Sequence, residues 1–457
     1  MTAAEAAPKP FGWRFTSPLL LGSTLNPINS SMIATALVGI GTDFAAGPGA
    51  TALLISVLYL CSAVAQPTMG KLSTIFGPRR IFLTGVVILF AAGVIGAAAP
   101  TFGVLLLSRA LIGVGTSAAY PTAMALVRRR ADAFGLGVPS RVLGNFSIAA
   151  QVTAVIGLPL GGILAGAFGW RALFAVNIPL ALISFILTLT GVAKDDPSSK
   201  ERKILSSLDI PGILLFAGAI TSLLVFLSDL RSPVWWLAAV FVVLAAGLFF
   251  WERRARLPLV DFRMLARSPA LQRTYLRQFL AALSTYTVLY GISQWMEQSK
   301  HLTSTQVGLI LLPLSGISIV VARVVSNRGW VRWPLVITGI VLVLAAVMLF
   351  IITSESSIIL LIGMSLLVGV ANGFGGFGNQ AALYLQSPPE QIAVASGLMR
   401  TATYVGAIFS SSLIGITFGT AATDAGLHTL AVVFGGIGVA FALLAILDRR
   451  IPLIAAR

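Results

Sequence analysis

Asn26, Asn29 and Ser30 flank Pro27 in one apolar stretch of the chain, and Arg109 stands as a lone charge in another. Proline lacks the N–H a helix needs, so it leaves backbone carbonyls near it free. The three polar residues therefore suit either the lining of a cavity or hydrogen bonds between helices. A guanidinium isolated in hydrocarbon costs at least about 2.5 to 3.5 kcal/mol, so Arg109 must have partners. Either it takes part in a coupling reaction, or it is a tether to backbone carbonyls or to Asn and Gln side chains. Tyr286, Tyr290, Gln294 and Glu297 recur at three- or four-residue spacing and fall on one face of a helix. Glu297 is there either as a proton carrier or as an interfacial acid beside Lys300 and His301. Gln151, Asn372, Asn379 and Gln380 add polar positions of the same two kinds. The last three lie in a cluster of Gly373, Gly375, Gly376 and Gly378 that suits close helix packing.

The remaining reactive groups exclude whole classes of function. Hydrolysis or group transfer at membrane depth needs a nucleophile beside a base, or a metal cluster. Cys61 is the only cysteine, and His301 and His428 are far apart. No disulfide within the chain, thiolate cluster or metal site is expected, and neither a cofactor nor enzymatic activity.

What must position these residues is a set of fourteen apolar stretches, each long enough to cross a hydrocarbon core about 30 Å thick. They span 17–40, 51–76, 80–98, 102–127, 141–167, 170–192, 209–229, 233–251, 272–296, 304–325, 333–353, 357–383, 394–418 and 427–447. Unpaired backbone groups in lipid are so costly that helices are the expected form. Composition agrees: 57% of the 457 residues are hydrophobic, 10% are charged and mean hydropathy is +0.94, which leaves no room for a soluble domain. Residues 1–16 read as a cytoplasmic lead without the pattern of a signal peptide.

The formal charge of +16 would suit a nucleic-acid binder, but its distribution points elsewhere. With the N-terminus inside, 27 of the 31 Lys and Arg fall in cytoplasmic positions, Arg171, Arg231 and Lys300 fall outside, and Arg109 alone lies in mid-membrane. That asymmetry is the positive-inside bias of a multi-pass protein of the plasma, or inner, membrane with both termini cytoplasmic. Nucleic acid is not an expected partner; anionic membrane lipids are. The charge pattern requires an even number of spans. The seventh and eighth, edged by Asp209, Asp229 and Arg231, are the pair whose loss would leave twelve. All fifteen acidic residues fall in loops or at helix ends.

Short motifs sit at the ends of these spans. After the second comes Gly70-Lys71-Leu72-Ser73-Thr74-Ile75-Phe76-Gly77-Pro78-Arg79-Arg80; the fourth carries Ser108-Arg109-Ala110-Leu111-Ile112-Gly113; the fifth carries Gly157-Leu158-Pro159-Leu160-Gly161-Gly162, followed by Gly169-Trp170-Arg171, Asn177 and Pro179. As a set these resemble the major facilitator superfamily, most closely its fourteen-helix drug:proton antiporter branch, over nearly the whole chain. The resemblance implies an all-α membrane fold of two six-helix halves around two inserted helices. Residues 17–192 would form the first half, 193–251 the linker and inserted pair, 252–448 the second half and 449–457 a cytoplasmic tail. It also implies that Gly70, Thr74, Gly77, Arg79, Arg80, Gly157, Pro159, Gly161 and Gly162 serve gating, and Arg109 coupling. Three positions depart from the family pattern: Thr74 and Asn29 stand where relatives commonly have Asp, and Leu158 displaces Pro159 by one.

The expected function is export of amphipathic or lipophilic small molecules by alternating access, with proton antiport inherited from the resemblance. Asn26, Asn29, Ser30, Gln151, Tyr286, Tyr290, Gln294, Asn372 and Asn379 would hold a neutral or weakly polar substrate. Without a mid-membrane carboxylate to carry the proton, Glu297 is the acid left to do so. An uncoupled facilitator, a lipid transporter, and a transport-dead sensor or scaffold are the alternatives. The topology has a direct check. In a Cys61→Ser background, His301→Cys should react with an impermeant maleimide on intact cells and Arg263→Cys should not; labelling of position 263 from outside would refute fourteen spans.

Overall fold

The computed structural model describes residues 10–46, 48–195, 209–228, 233–255, 258–302, 304–419, 421–448 and 451–453, and all its regular structure is helical. Asp229, Arg231 and most of the 193–208 linker lie outside the described residues. The chain runs through α1 (Trp13–Met32), a 3-10 turn (Ile33–Ala36), α2 (Leu37–Asp43), α3 (Pro48–Phe76), α4 (Pro78–Ala97), α5 (Phe102–Ser117), α6 (Ala119–Ala133), α7 (Ser140–Phe168), α8 (Ala172–Ala175) and α9 (Asn177–Gly191). Next come α10 (Ile210–Ser228), α11 (Trp235–Glu252), α12 (Phe262–Arg267), α13 (Pro269–Tyr286), a π turn (Thr287–Ile292), α14 (Ser293–Gln298), α15 (Ser304–Arg328), α16 (Arg332–Ile351), α17 (Ile358–Gln386), α18 (Ile392–Phe418) and α19 (Asp424–Leu447).

Among the described residues, eleven helices are long and apolar enough to cross a membrane, from Leu53–Phe76 to Asp424–Leu447. The first, fifth and ninth predicted spans fall on α1 to α2, on α7 and on α13 to α14. Two of these are diluted by polar side chains that make contacts between helices: α1 carries Asn26 and Asn29, and α13 carries Arg273 and Arg277. The turn at residue 77 and the connections near 134–139, 253–268, 329–331 and 387–391 share one end of the bundle. Arg79, Arg80, Arg128, Arg253 and Arg328 gather there and make it the basic end.

Small residues set how closely the helices approach. A Cβ at Gly85 would lie 2.5 Å from the carbonyl oxygen of Gly115, seating α4 directly on α5. In α17, a Cβ at Gly373 would lie 2.7 Å from the Ser318 carbonyl oxygen, and one at Gly378 would meet Leu335. The glycine cluster predicted to pack does so, pressing α17 onto α15 and α16.

Residues 13–191 meet residues 269–448 along a seam near the basic end. The Tyr384 hydroxyl donates to the Met124 carbonyl oxygen, Arg323 Nη1 to Asn145 Oδ1 at 3.2 Å, and Thr401 Oγ1 to the Ala63 carbonyl oxygen at 2.7 Å. Glycine is required where backbones touch across the seam: a Cβ at Gly70 would lie 2.6 Å from the Ala393 carbonyl oxygen, and one at Gly397 the same distance from Pro67. At the opposite end, Asp43 accepts from the Trp170 indole at 2.8 Å and from Arg171 at 3.2 Å. The indole bond first, and the guanidinium after it, hold this carboxyl below its ordinary range.

Arg109 is not the only buried arginine: Arg277 of α13 is 0% exposed. Its Nη1 donates to Asp448 Oδ2 at 3.0 Å and to the Leu444 carbonyl oxygen at 3.3 Å, its Nη2 to Thr274 Oγ1 at 2.6 Å and its Nε to Asn379 Oδ1 at 3.3 Å. Arg273 approaches the other Asp448 oxygen at 3.6 Å. In sequence Arg277 lies near the start of an apolar stretch and reads as a loop cation; the counter-ion that draws it inward comes from far along the chain. Removing one member of a buried pair typically costs about 3 to 5 kcal/mol, whereas replacing both by apolar groups is often neutral. Asp448→Leu should therefore lower the thermal unfolding midpoint strongly, and Arg277→Leu in the same chain should restore most of the loss.

Candidate functional site

Of the predicted polar residues of α1, Asn26 and Asn29 are buried and Ser30 is half-buried, and all three are hydrogen-bonded. Asn26, 6% exposed, donates to Ser62 Oγ at 2.9 Å and to Thr116 Oγ1 at 2.8 Å, and accepts from the Tyr404 hydroxyl at 2.8 Å. It joins α1, α3, α5 and α18. Asn29, 2% exposed, exchanges two hydrogen bonds with Asn177 of α9, at 2.7 and 3.0 Å. Reciprocal amide bonds use both the donor and the acceptor, so Asn29 joins α1 to α9. Ser30 donates to the Asn26 carbonyl oxygen.

Arg109, 2% exposed, reaches from α5 to two backbone carbonyls: Leu54 of α3 at 3.0 Å and Asn29 of α1 at 3.2 Å. Four residues past Asn29, at Ile33, the α-helix gives way to a 3-10 turn. Among the described residues no carboxylate pairs with Arg109, and its Nη2 has no hydrogen-bond partner. A tether accounts for two of its three nitrogens.

Beyond Asn26 the polar network becomes aromatic. Gln66 donates to the Tyr404 hydroxyl at 2.9 Å. The Tyr404 ring lies 5.6 Å from that of Tyr59, which stands beside Tyr290, and Tyr290 lies 5.6 Å from Tyr286. These rings come from α3, α13 with its π turn, and α18, so they face one another across the two segments. Tyr290 is 45% exposed. Arg400, one helical turn before Tyr404, lays its guanidinium 4.0 Å above the Tyr120 ring.

The predicted stripe of α13 and α14 divides. Tyr286 and Tyr290 belong to the aromatic patch, but the π turn lies within and just beyond them. One extra residue per turn rotates the helix after it by about 100°, so the register that would bring Glu297 onto the Tyr286 face is broken. Gln294 and Glu297 are exposed. Asn372 accepts from Thr285 at 2.6 Å, while Asn379 is 0% exposed and supports Arg277 rather than the patch. The side chains of Gln151 and Pro159 lie outside the described residues. Among the described residues no three His, Cys, Asp or Glu gather as metal ligands.

The residues expected to serve gating separate into contacts and bystanders. Thr74 is exposed and bonds only to the Lys71 carbonyl oxygen of its own turn. The carboxylate at this loop comes instead from Asp195, past the end of α9. It accepts from the backbone N–H groups of Arg79 and Arg80 at 3.3 and 2.9 Å and pairs with Arg129 at 3.4 Å. An acid at a helix N-terminus is favoured by the exposed amides there. Gly77, at φ +92°, leaves room for it. Lys71 donates to the Pro258 carbonyl oxygen. Gly157 and Gly161 sit against Ser31 and Met32 of α1, whereas Gly162 touches nothing.

Sequence reasoning missed Tyr59, Gln66, Arg400, Tyr404 and Asp195. The spacing of Arg400 and Tyr404 by one helical turn was a readable signal; the bond from a linker acid to α4 was not. If Arg109 serves coupling, Arg109→Met should leave the unfolding midpoint near that of the wild type, since a buried unpaired cation is removed, and lower transport at least tenfold. Equal losses of folded protein and transport would mark it as a tether alone.

The family model described as Major Facilitator Superfamily matches residues 19–411. The uncharacterized MFS-type transporter YwoD of Bacillus subtilis (strain 168) is 35% identical over 448 residues, covering 94% of this chain and 96% of that protein. The tetracenomycin C resistance and export protein of Streptomyces glaucescens is 27% identical, over 90% of this chain and 77% of that one. A crystal structure of the human organic anion transporter MFSD10 (TETRAN) superposes with a TM-score of 0.70 at 15% identity, covering 95% of this chain and 99% of that one, a likeness of fold. With the family model spanning most of its length and a relative aligned nearly end to end, this multi-pass helical membrane protein belongs to the Major Facilitator Superfamily.

Proposed function

We propose that the chain is a fourteen-helix exporter of amphipathic small molecules that works by alternating access. Residues 17–192 and 252–448 form the two moving halves, with α10 and α11 inserted between them. Both termini and the basic end are cytoplasmic in this reading, following the positive-inside distribution of Lys and Arg.

The observation that carries it is the asymmetry of the central seam. Gly70 on Ala393, Gly397 on Pro67, Tyr384 on Met124 and Arg323 on Asn145 all meet near the basic end, while further along Tyr59 and Tyr286 are only half-buried and Tyr290 is exposed. A bundle shut at one end and open above a polar and aromatic patch has the form of the outward-facing state of a rocking transporter. Apolar rings with few polar groups suit an amphipathic solute. The resistance and export role in the name of the Streptomyces relative agrees with outward movement.

Proton antiport is part of the proposal and runs through Glu297, the exposed acid nearest along the chain to the patch. A second reading, an uncoupled facilitator, has one observation in its favour: Arg109 lacks a carboxylate partner among the described residues and Asn29 is held by Asn177. Proteoliposomes separate the two. Under antiport, Glu297→Gln should abolish uptake driven by a pH gradient and spare counterflow, because exchange of solute for solute moves no net proton. Equal rates of wild-type equilibration with and without the gradient would exclude antiport and leave the facilitator.

A further inference from the structure

The central patch holds cations without acids among the described residues. Arg400 projects from α18 at the seam, with its guanidinium over Tyr120 of α6, and its Nε makes no hydrogen bond. One helical turn on along α18 stands Tyr404, whose ring lies 5.6 Å from that of Tyr59. Deeper among α1, α3 and α5, Arg109 keeps one nitrogen unpartnered although it is 2% exposed. The ion pairs of the described part of residues 269–448 join Arg273 and Arg277 to Asp448, and none reaches Arg400 or Arg109. A buried donor left unmade costs free energy, more so when charged, and field lines in a low-dielectric cleft extend far.

Resting on the exporter reading, we propose that this site selects amphipathic organic anions: an aromatic body among Tyr59, Tyr286 and Tyr290, and a carboxylate or sulfonate on the guanidinium of Arg400. The planar fork of Arg matches such groups with two parallel hydrogen bonds. Tyrosine faces attract cations in general, but here Arg400 already occupies one of those faces, and a second cation would meet its charge. A cationic amphiphile of the same shape is therefore disfavoured. An anion on Arg400 would also compete with the stacking on Tyr120, which is one of the contacts across the seam.

The test compares three fluorescent probes with one ring system at neutral pH: pyrenebutyrate, pyrenebutanol and pyrenebutyl trimethylammonium. Binding is measured on the purified full-length chain, and movement in proteoliposomes. Pyrenebutyrate should bind at least about tenfold more tightly than the ammonium. Arg400→Gln should erase its advantage over the alcohol, and Arg400→Lys, which keeps the charge and loses the fork, should keep only part of it. Should the Gln variant fail to fold, the ranking on wild type and on Arg400→Lys decides. Tighter or equal binding of the ammonium, or an anion affinity untouched by Arg400→Gln, overturns the proposal. Movement of the alcohol or the ammonium without the anion overturns the anionic site and leaves the exporter reading standing. Failure of all three to bind or move overturns both.

Discussion

Hydrocarbon offers no hydrogen-bond partner, and this constraint governs where each polar side chain of the chain is found. Helices satisfy the backbone internally, so the polar side chains are left to find one another across helix boundaries. Asn26 therefore binds four elements at one point, and Asn29 is matched by Asn177. The same side chains that make α1 less apolar also fix its position against α3, α5 and α9.

Two buried arginines answer this constraint in different ways. Arg277 has a carboxylate, a second arginine nearby and several hydrogen-bond partners, which is a closed arrangement suited to holding α13 to the end of α19. Arg109 has only backbone carbonyls and one free nitrogen. Backbone carbonyls bring partial charge without neutralising a cation, so its field persists in the interior. Together with Arg400, it makes the middle of the bundle positive in a protein whose acids lie in loops and at helix ends.

The gating loop shows how one contact can substitute for another. Thr74 carries no charge, and the negative charge at this loop comes from Asp195, on the N-terminal amides of α4. The bond ties α4 to the segment after α9 within residues 13–195. It does not cross the seam, which is held by glycine contacts, a few hydrogen bonds and the Arg400 stack.

The amino-acid sequence alone determined the helical class, the position of the apolar stretches and the uneven distribution of charge along the chain, because hydropathy and charge are local properties of composition. It also marked Asn26, Asn29, Arg109, Tyr286 and Tyr290 as polar residues that need partners. Which partners they take was decided only by the tertiary structure: Asn29 with Asn177, Arg109 with two carbonyls, Tyr404 with Asn26, and Arg277 with Asp448 are pairs far apart along the chain. The π turn in the ninth predicted span was likewise invisible, since an α-helical period was assumed through it, and it is this turn that shifts Glu297 away from the Tyr286 face. Long-range pairing and local register both depend on how the helices pack, and no count of residues along one helix contains that information.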